Sequence, residues 1–278
     1  MRLAFQVAYF GTDFYGSQVQ PGLRTVEGDM VQACIRLGLF TDWREAGFAL
    51  SGRTDRGVHA RGQICAFTTS QPERAVTKLN AVLPPDCWCR GWAKAGAAFH
   101  PRYDALHRTY RYYLHDRRLD EDLLAGAAAC FPGTHDFSCF ARLEGKHPVR
   151  TIHTARIIPD EDVWVLEIRG ESFLWNMVRC IATALIAAGR GEMAAAEIRS
   201  LLATGTGRHL PPAPPDALVL WDIDCGLGFS PVDMGARRRD AIAEQRRRYA
   251  SLKKVTDCIP FPEGAEDRGD EHARHPAG

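Results

Sequence analysis

Five short runs of β-branched and aromatic residues limit what this chain can fold into: 2–10, 63–68 (Q-I-C-A-F-T), 108–114 (R-T-Y-R-Y-Y-L), 163–168 (V-W-V-L-E-I) and 218–223. Each has the length and composition of a strand. Helical spacing falls between them. Over 25–37, Val26, Met30, Cys34 and Leu37 line one face behind Thr25 as a cap. A shorter helix is expected over 76–83, stopped by Pro84-Pro85. A longer one over 173–188 carries Phe173, Met177, Ile181, Ala184 and Ala188 on one stripe. The order reads β-α-β-α-β twice, which predicts an α+β chain of two similar halves, each a sheet covered on one face by helices. With 278 residues, 45% of them hydrophobic, such halves can bury a sizeable core.

The expected boundaries are 1–104, 105–228 and 229–278, the first falling just after F-H-P-R-Y-D. Within the last segment, 236–254 carries eight basic and two acidic side chains, with Ile242, Tyr249 and Leu252 as a thin apolar stripe. It is either an RNA-contacting helix or a solvated surface helix, and the second reading is favoured because charge runs are common on exposed helices. From Glu263 onward the polar, Gly- and Pro-containing tail reads as disordered.

Composition excludes several classes. No run of about 18 apolar residues exists, and the N-terminus alternates like a strand instead of showing a signal peptide's apolar core. A soluble, cytoplasmic protein without a membrane anchor is expected. The nine cysteines form no C-x-x-C pair and sit mostly in apolar surroundings, so they read as reduced core thiols. No histidine pair has zinc spacing, and neither metal nor cofactor is expected. A net charge of only +1 argues against a nucleic-acid partner, but its distribution argues for one. The aromatic-rich stretch 90–118 holds seven basic residues against Asp104 and Asp116.

The chemistry concentrates in S-G-R-T-D-R-G-V-H-A-R-G at 51–62, where one carboxylate, Asp55, lies among Arg53, Arg56 and Arg61 between Gly52 and Gly57. Neighbouring guanidinium groups favour the charged form of an acid, which makes Asp55 a candidate nucleophile or electrostatic catalyst and a poor proton donor. The plainer reading is a turn in which Asp caps and Gly supplies positive φ.

The nine residues G-R-T-D-R-G-V-H-A at 52–60 resemble the signature of the TruA family of tRNA pseudouridine synthases, whose Asp is catalytic. The resemblance runs from Met1 to about Gly228, through Y-F-G-T-D-F-Y-G-S-Q at 9–18, L-P-P-D at 83–86, F-H-P-R-Y-D-A at 99–105 and H-D-F-S-C-F at 135–140. Ser17 stands where the family usually has Trp, and Phe10 where it often has Asp. The resemblance implies a pseudouridine synthase fold whose antiparallel sheets meet around a central RNA-binding cleft. It also implies isomerisation of uridine in the tRNA anticodon stem-loop, nominally at positions 38, 39 and 40, by a homodimer that needs no cofactor. By position in matched motifs, Asp55 is then catalytic and Tyr110 in R-T-Y-R-Y stacks on the target base. Arg179 in F-L-W-N-M-V-R pairs with Asp55, and Arg53 helps draw the base from the stack. His100, Pro101, Arg102, Arg111, Trp175 and Asn176 contact RNA. Strand alternation puts Tyr110 and Tyr112 on one face, opposite Arg111 and Tyr113.

Overall fold

The computed structural model describes residues 1–259. The chain divides into two compact units, Met1–Met234 and the segment from Gly235 onward. The first half of unit one runs β1 (Arg2–Tyr9), α1 (Val26–Arg36), β2 (Ala49–Leu50), β3 (His59–Thr68), α2 (Pro72–Val82) and β4 (Cys87–Lys94). The second runs β5 (His107–Leu114), α3 (Glu121–Ala128), β6 (Gly133–Asp136), β7 (Val149–Asp160), β8 (Val163–Gly170), α4 (Met177–Gly189), α5 (Ala195–Thr204) and β9 (Leu218–Asp224). A two-residue strand, β10 (Ser230–Pro231), ends the unit, and α6 (Ala236–Cys258) forms the described part of the other.

All ten strands join one sheet in the order β10-β4-β1-β3-β9-β5-β8-β7-β6, with β2 paired to β3. Neither half is a bare β-α-β-α-β unit: the second adds the β6–β7 pair and α5. Nor are there two separate sheets. β9, late in the chain, slots between β3 and β5, antiparallel to β5 and parallel to β3, the one parallel junction among the described residues. Leu220 of β9 lies opposite both Ala60 of β3 and Tyr110 of β5. β3 begins four residues after Asp55, so this register brings the motif loop to within about two strand spacings, roughly 10 Å, of Tyr110.

The expected boundary near Ala105 falls in the β4–β5 connection, and the sheet runs unbroken across it. The expected start of the terminal segment at 229 would cut off β10, which pairs Ser230 with Trp92 on the sheet's edge. Residues from 260 onward, including the tail read as disordered, lie outside the described residues. On α6, Tyr249, Leu252 and Val255 are all about half exposed.

Local signals explain most element ends. Thr25 accepts the Gly28 amide at 3.2 Å and starts α1, and Pro72 supplies the fixed φ of α2's first turn. The stripe assigned to 173–188 overruns at its start. Asn176 is left-handed at φ 63°, which a helix cannot contain, so α4 opens at Met177 and Phe173 lies outside it. Met177, Ile181, Leu185 and Ala188 of α4 are buried, as are Tyr110, Tyr112 and Leu114 on one face of β5. All nine cysteines are unpaired thiols, eight of them buried.

Between β5 and α3, Asp116 ties the strand end to the C-cap of α4. It accepts the Arg118 amide at 3.0 Å and the Arg190 Nε at 2.7 Å. The Arg118 amide, then the Arg118 and Arg190 guanidinium groups, pull this carboxyl down to about 2. A carboxyl depressed on folding stabilises above its unfolded value, near about 3.9, and loses that contribution as pH falls toward about 2. Asp116→Asn is therefore expected to cost about 1 kcal/mol at pH 7, its partners being partly exposed, or a Tm drop of about 2–4 °C. The gap between the two thermal melts should shrink steadily from pH 5 to pH 2; a pH-independent gap contradicts the assignment.

Candidate active site

The motif loop is fixed from below by buried polar groups. Thr54 donates its amide to Ser17 Oγ at 2.8 Å, its carbonyl accepts the Ser17 amide at 3.0 Å, and its hydroxyl shares a 2.8 Å hydrogen bond with Tyr9 Oη. Burial holds the Tyr9 phenol protonated well above its ordinary range. Ser17 thus meets both main-chain groups of the residue before Asp55. Gln63, also buried, accepts the Ser51 hydroxyl at 2.7 Å and donates to the Gly52 carbonyl at 2.8 Å. With every partner satisfied, this network specifies one loop conformation.

The loop closes in a tight turn, Val58 N–H to Asp55 carbonyl at 3.2 Å, with Gly57 at φ 84° in the third position, where such turns favour glycine. Gly11 explains its own identity: a Cβ there would lie 2.1 Å from the Val58 carbonyl oxygen. His59 Nδ1 accepts the Gly11 amide at 3.0 Å, and burial pushes the imidazole below its ordinary range, so it stays neutral in this bond.

The Asp55 side chain is 26% exposed, and both its oxygens are held by residues from the second half of the chain. Arg179, in the first turn of α4, places NH1 3.2 Å from Oδ2; Trp175 donates Nε1–H to Oδ1 at 2.8 Å. Arg179 is itself fixed, its Nε donating to the Ala213 carbonyl at 2.6 Å and NH1 to Asn176 Oδ1 at 3.1 Å. Asp55, Arg179, Trp175 and Asn176 therefore form one cluster across a sequence separation of 120 residues or more. The Asp55 turn is more than a structural cap: its carboxylate bonds to the far half of the chain.

Tyr110 belongs beside them. Burial pushes its phenol up to about 12, with Arg108 opposing and Asp55 adding to the shift. Its ring is met edge-on by Phe173, 5.0 Å between centroids. Arg53 is exposed next to the cluster and forms no hydrogen bond or ion pair among the described residues. Arg102 is exposed and His100 half-exposed, while Pro101 is buried.

That 100–104 turn is tied to the site by a residue the sequence did not single out. Arg108 donates to the carbonyls of Arg102 (2.9 Å), Ser51 (3.3 Å) and Glu171 (2.6 Å). Only its position two residues before Tyr110, hence on the same strand face, hinted at this. Arg111 does not join the cluster. Alternation turns it to the opposite face, where it binds Glu167 at 2.8 Å and lies 3.7 Å over the Trp221 ring.

A lone carboxylate fixed by a guanidinium and an indole, beside a buried tyrosine and with arginines at its rim, is an arrangement that suits covalent or proton-transfer chemistry. The family model described as tRNA pseudouridine synthase matches residues 127–224. Curated proteins named tRNA pseudouridine synthase A are similar over nearly the whole chain. That of Methanoculleus marisnigri is 51% identical over 256 residues, 92% of this chain and 94% of its own. That of Methanosphaerula palustris is 48% identical over 98% of this chain and 96% of its own, and that of Thermococcus sibiricus 44% over 92% and 98%. The chain belongs to the tRNA pseudouridine synthase family.

Proposed function

We propose that this protein is an isomerase that converts uridine to pseudouridine in tRNA, on the 3′ side of the anticodon stem-loop, nominally at positions 38, 39 and 40. The observation that carries this is the Asp55 carboxylate of the nine-residue motif, gripped at both oxygens by residues of the second half. In the reaction the N1–C1′ bond of uridine breaks, the uracil turns, and C5 bonds to C1′. C5 loses its proton and N1 ends protonated, so atoms balance without a donor or redox partner. Asp55 attacks C1′ or C6, or takes a proton from the sugar; each role uses the carboxylate that Arg179 and Trp175 hold in place. The exposed arginines 53, 56 and 102 suit a phosphate backbone, and the protein is proposed to work in the cytoplasm as a homodimer.

The test is direct. The purified protein is incubated with tRNA transcripts carrying single uridines at 38, 39 or 40, and pseudouridine is mapped by base-specific chemical modification. Conversion at one or more of these positions is expected; none at any uridine of full-length tRNA sinks the proposal. Light scattering should give twice the chain mass.

The same assay separates two neighbouring tyrosines. Tyr110→Leu removes the aromatic ring proposed to stack on the target base and should cut single-turnover conversion by about 10-fold or more, since stacking of a flipped base is worth about 1–3 kcal/mol. Tyr113, half-exposed on the other face, should tolerate Leu with conversion within about 2-fold. Equal losses in two folded proteins would refute the stacking role.

A further inference from the structure

The two contacts to Asp55 are unequal. Arg179 reaches Oδ2 with one nitrogen at 3.2 Å, long for a charge-assisted bond, because its Nε is committed to the Ala213 carbonyl and NH1 is shared with Asn176. The indole bond to Oδ1 is the shorter, at 2.8 Å. One contact leaves a carboxylate free to turn about its broad terminal torsion; two contacts on different oxygens stop it.

Trp175 is well placed for this. Its carbonyl accepts the Arg142 amide at 2.9 Å, and the Arg142 guanidinium lies 5.0 Å over its ring, within cation–π range. The next residue is Asn176, whose left-handed backbone starts α4 and whose side chain holds Arg179. A stretch of five residues therefore carries both donors at a fixed offset. Their surroundings differ: the Arg179 side chain is 14% exposed, whereas Trp175 is 38% exposed, so Oδ1 marks the open side of the cluster.

From this geometry we propose that Trp175 is a positioning residue for the reaction, and that Oδ1, held by the neutral donor on the open side, is the oxygen that reacts. A neutral N–H orients the oxygen and leaves its second lone pair available, with less loss of nucleophilicity than a guanidinium would cause. Arg179 places a countercharge at Oδ2 and Trp175 aims the carboxylate. This rests on the reading of Asp55 as the reacting group.

Trp175→Phe keeps the ring and removes the donor; Trp175→His keeps a donor on a smaller ring. Under saturating enzyme, Trp175→Phe should slow single-turnover conversion about 10- to 100-fold, the effect of one hydrogen bond to a charged group, while tRNA Kd by filter binding stays within about 2-fold. Trp175→His should recover most of the rate. Wild-type rate in Trp175→Phe, a loss confined to Kd, or equal slowing in both variants overturns the proposal. An activity-independent check uses indole nitrogen-15 NMR of the full chain, with the Trp175 resonance assigned by its loss in Trp175→Phe. Asp55→Ala should move that N–H upfield, and an unmoved resonance also overturns it. If the wild-type protein makes no pseudouridine, the functional reading itself has failed; an active wild type with an equally active Trp175→Phe removes Trp175 alone.

Discussion

Asp55→Asn should abolish pseudouridine formation, lowering single-turnover rate by about 10³-fold or more, with tRNA Kd within about 3-fold and little change in Tm. The amide is isosteric and its oxygen still accepts the Trp175 indole, while its –NH2 meets the Arg179 guanidinium donor to donor and that one contact is lost. The amide carries no charge, cannot act as a base and is a far weaker nucleophile. Stability should barely respond, because the loop conformation is set elsewhere, by Ser17, Thr54, Tyr9 and Gln63, and by the Asp55 main chain in its own turn. A structural cap would behave the other way, with a stability loss of about 0.5–2 kcal/mol and unchanged chemistry. Turnover in the Asn variant near that of wild type would remove Asp55 from the mechanism.

Arg179→Ala should combine two losses. Asp55 keeps only a neutral donor, which should cut the rate by about 10²-fold or more. The carbonyl of Ala213, a buried residue, loses the donor that meets it at 2.6 Å, which should cost a further 1–3 kcal/mol of stability, roughly. Arg179→Lys separates charge from geometry. An ammonium can reach one or two acceptors but cannot meet Ala213 O, Asn176 Oδ1 and Asp55 Oδ2 with a planar fork. It should regain part of the rate and little of the stability. Full activity in Arg179→Ala, measured on folded protein, would show that the ion pair is incidental.

Much of this was legible in the chain. Strand runs and helix stripes located β1, β3, β5, β8, β9, α1 and α4, because period 2 and period 3.6 are local properties. β7 was missed because its residues are mostly half-exposed, with no clean alternation, and α3 because eight residues including Gly126 give too little periodicity. Pairing partners were beyond local reach: nothing in L-V-L-W-D-I announces that it separates β3 from β5. For the site, residue chemistry alone led to Asp55. Arg179, Trp175 and Asn176 came from resemblance, and the structure brings all three to it. Arg111 shows the two kinds of reading in conflict. Its matched motif suggested a place in the cleft, while alternation had already turned it away from Tyr110. The donor role of Trp175 left no trace in sequence, since it depends on a left-handed Asn176 that starts the helix late.

The position of β9 has a consequence for how the protein is made. On the ribosome, β1 and β3 can pair and bury their faces long before residue 218 emerges, and β5 with β8 can do the same. Until β9 arrives, the β9-facing edges of β3 and β5 lack their partner, and Asp55 stands on one folding block while Arg179 stands on another. A central strand delivered late makes closure a long-range, slow event in the nascent chain. A translation product that stops before β9 lacks the strand that joins the Asp55 block to the Arg179 block, so the modifying activity is expected only once residues 218–224 have been made. The interval before closure, with two strand edges unpaired, is the period in which chaperone protection matters most.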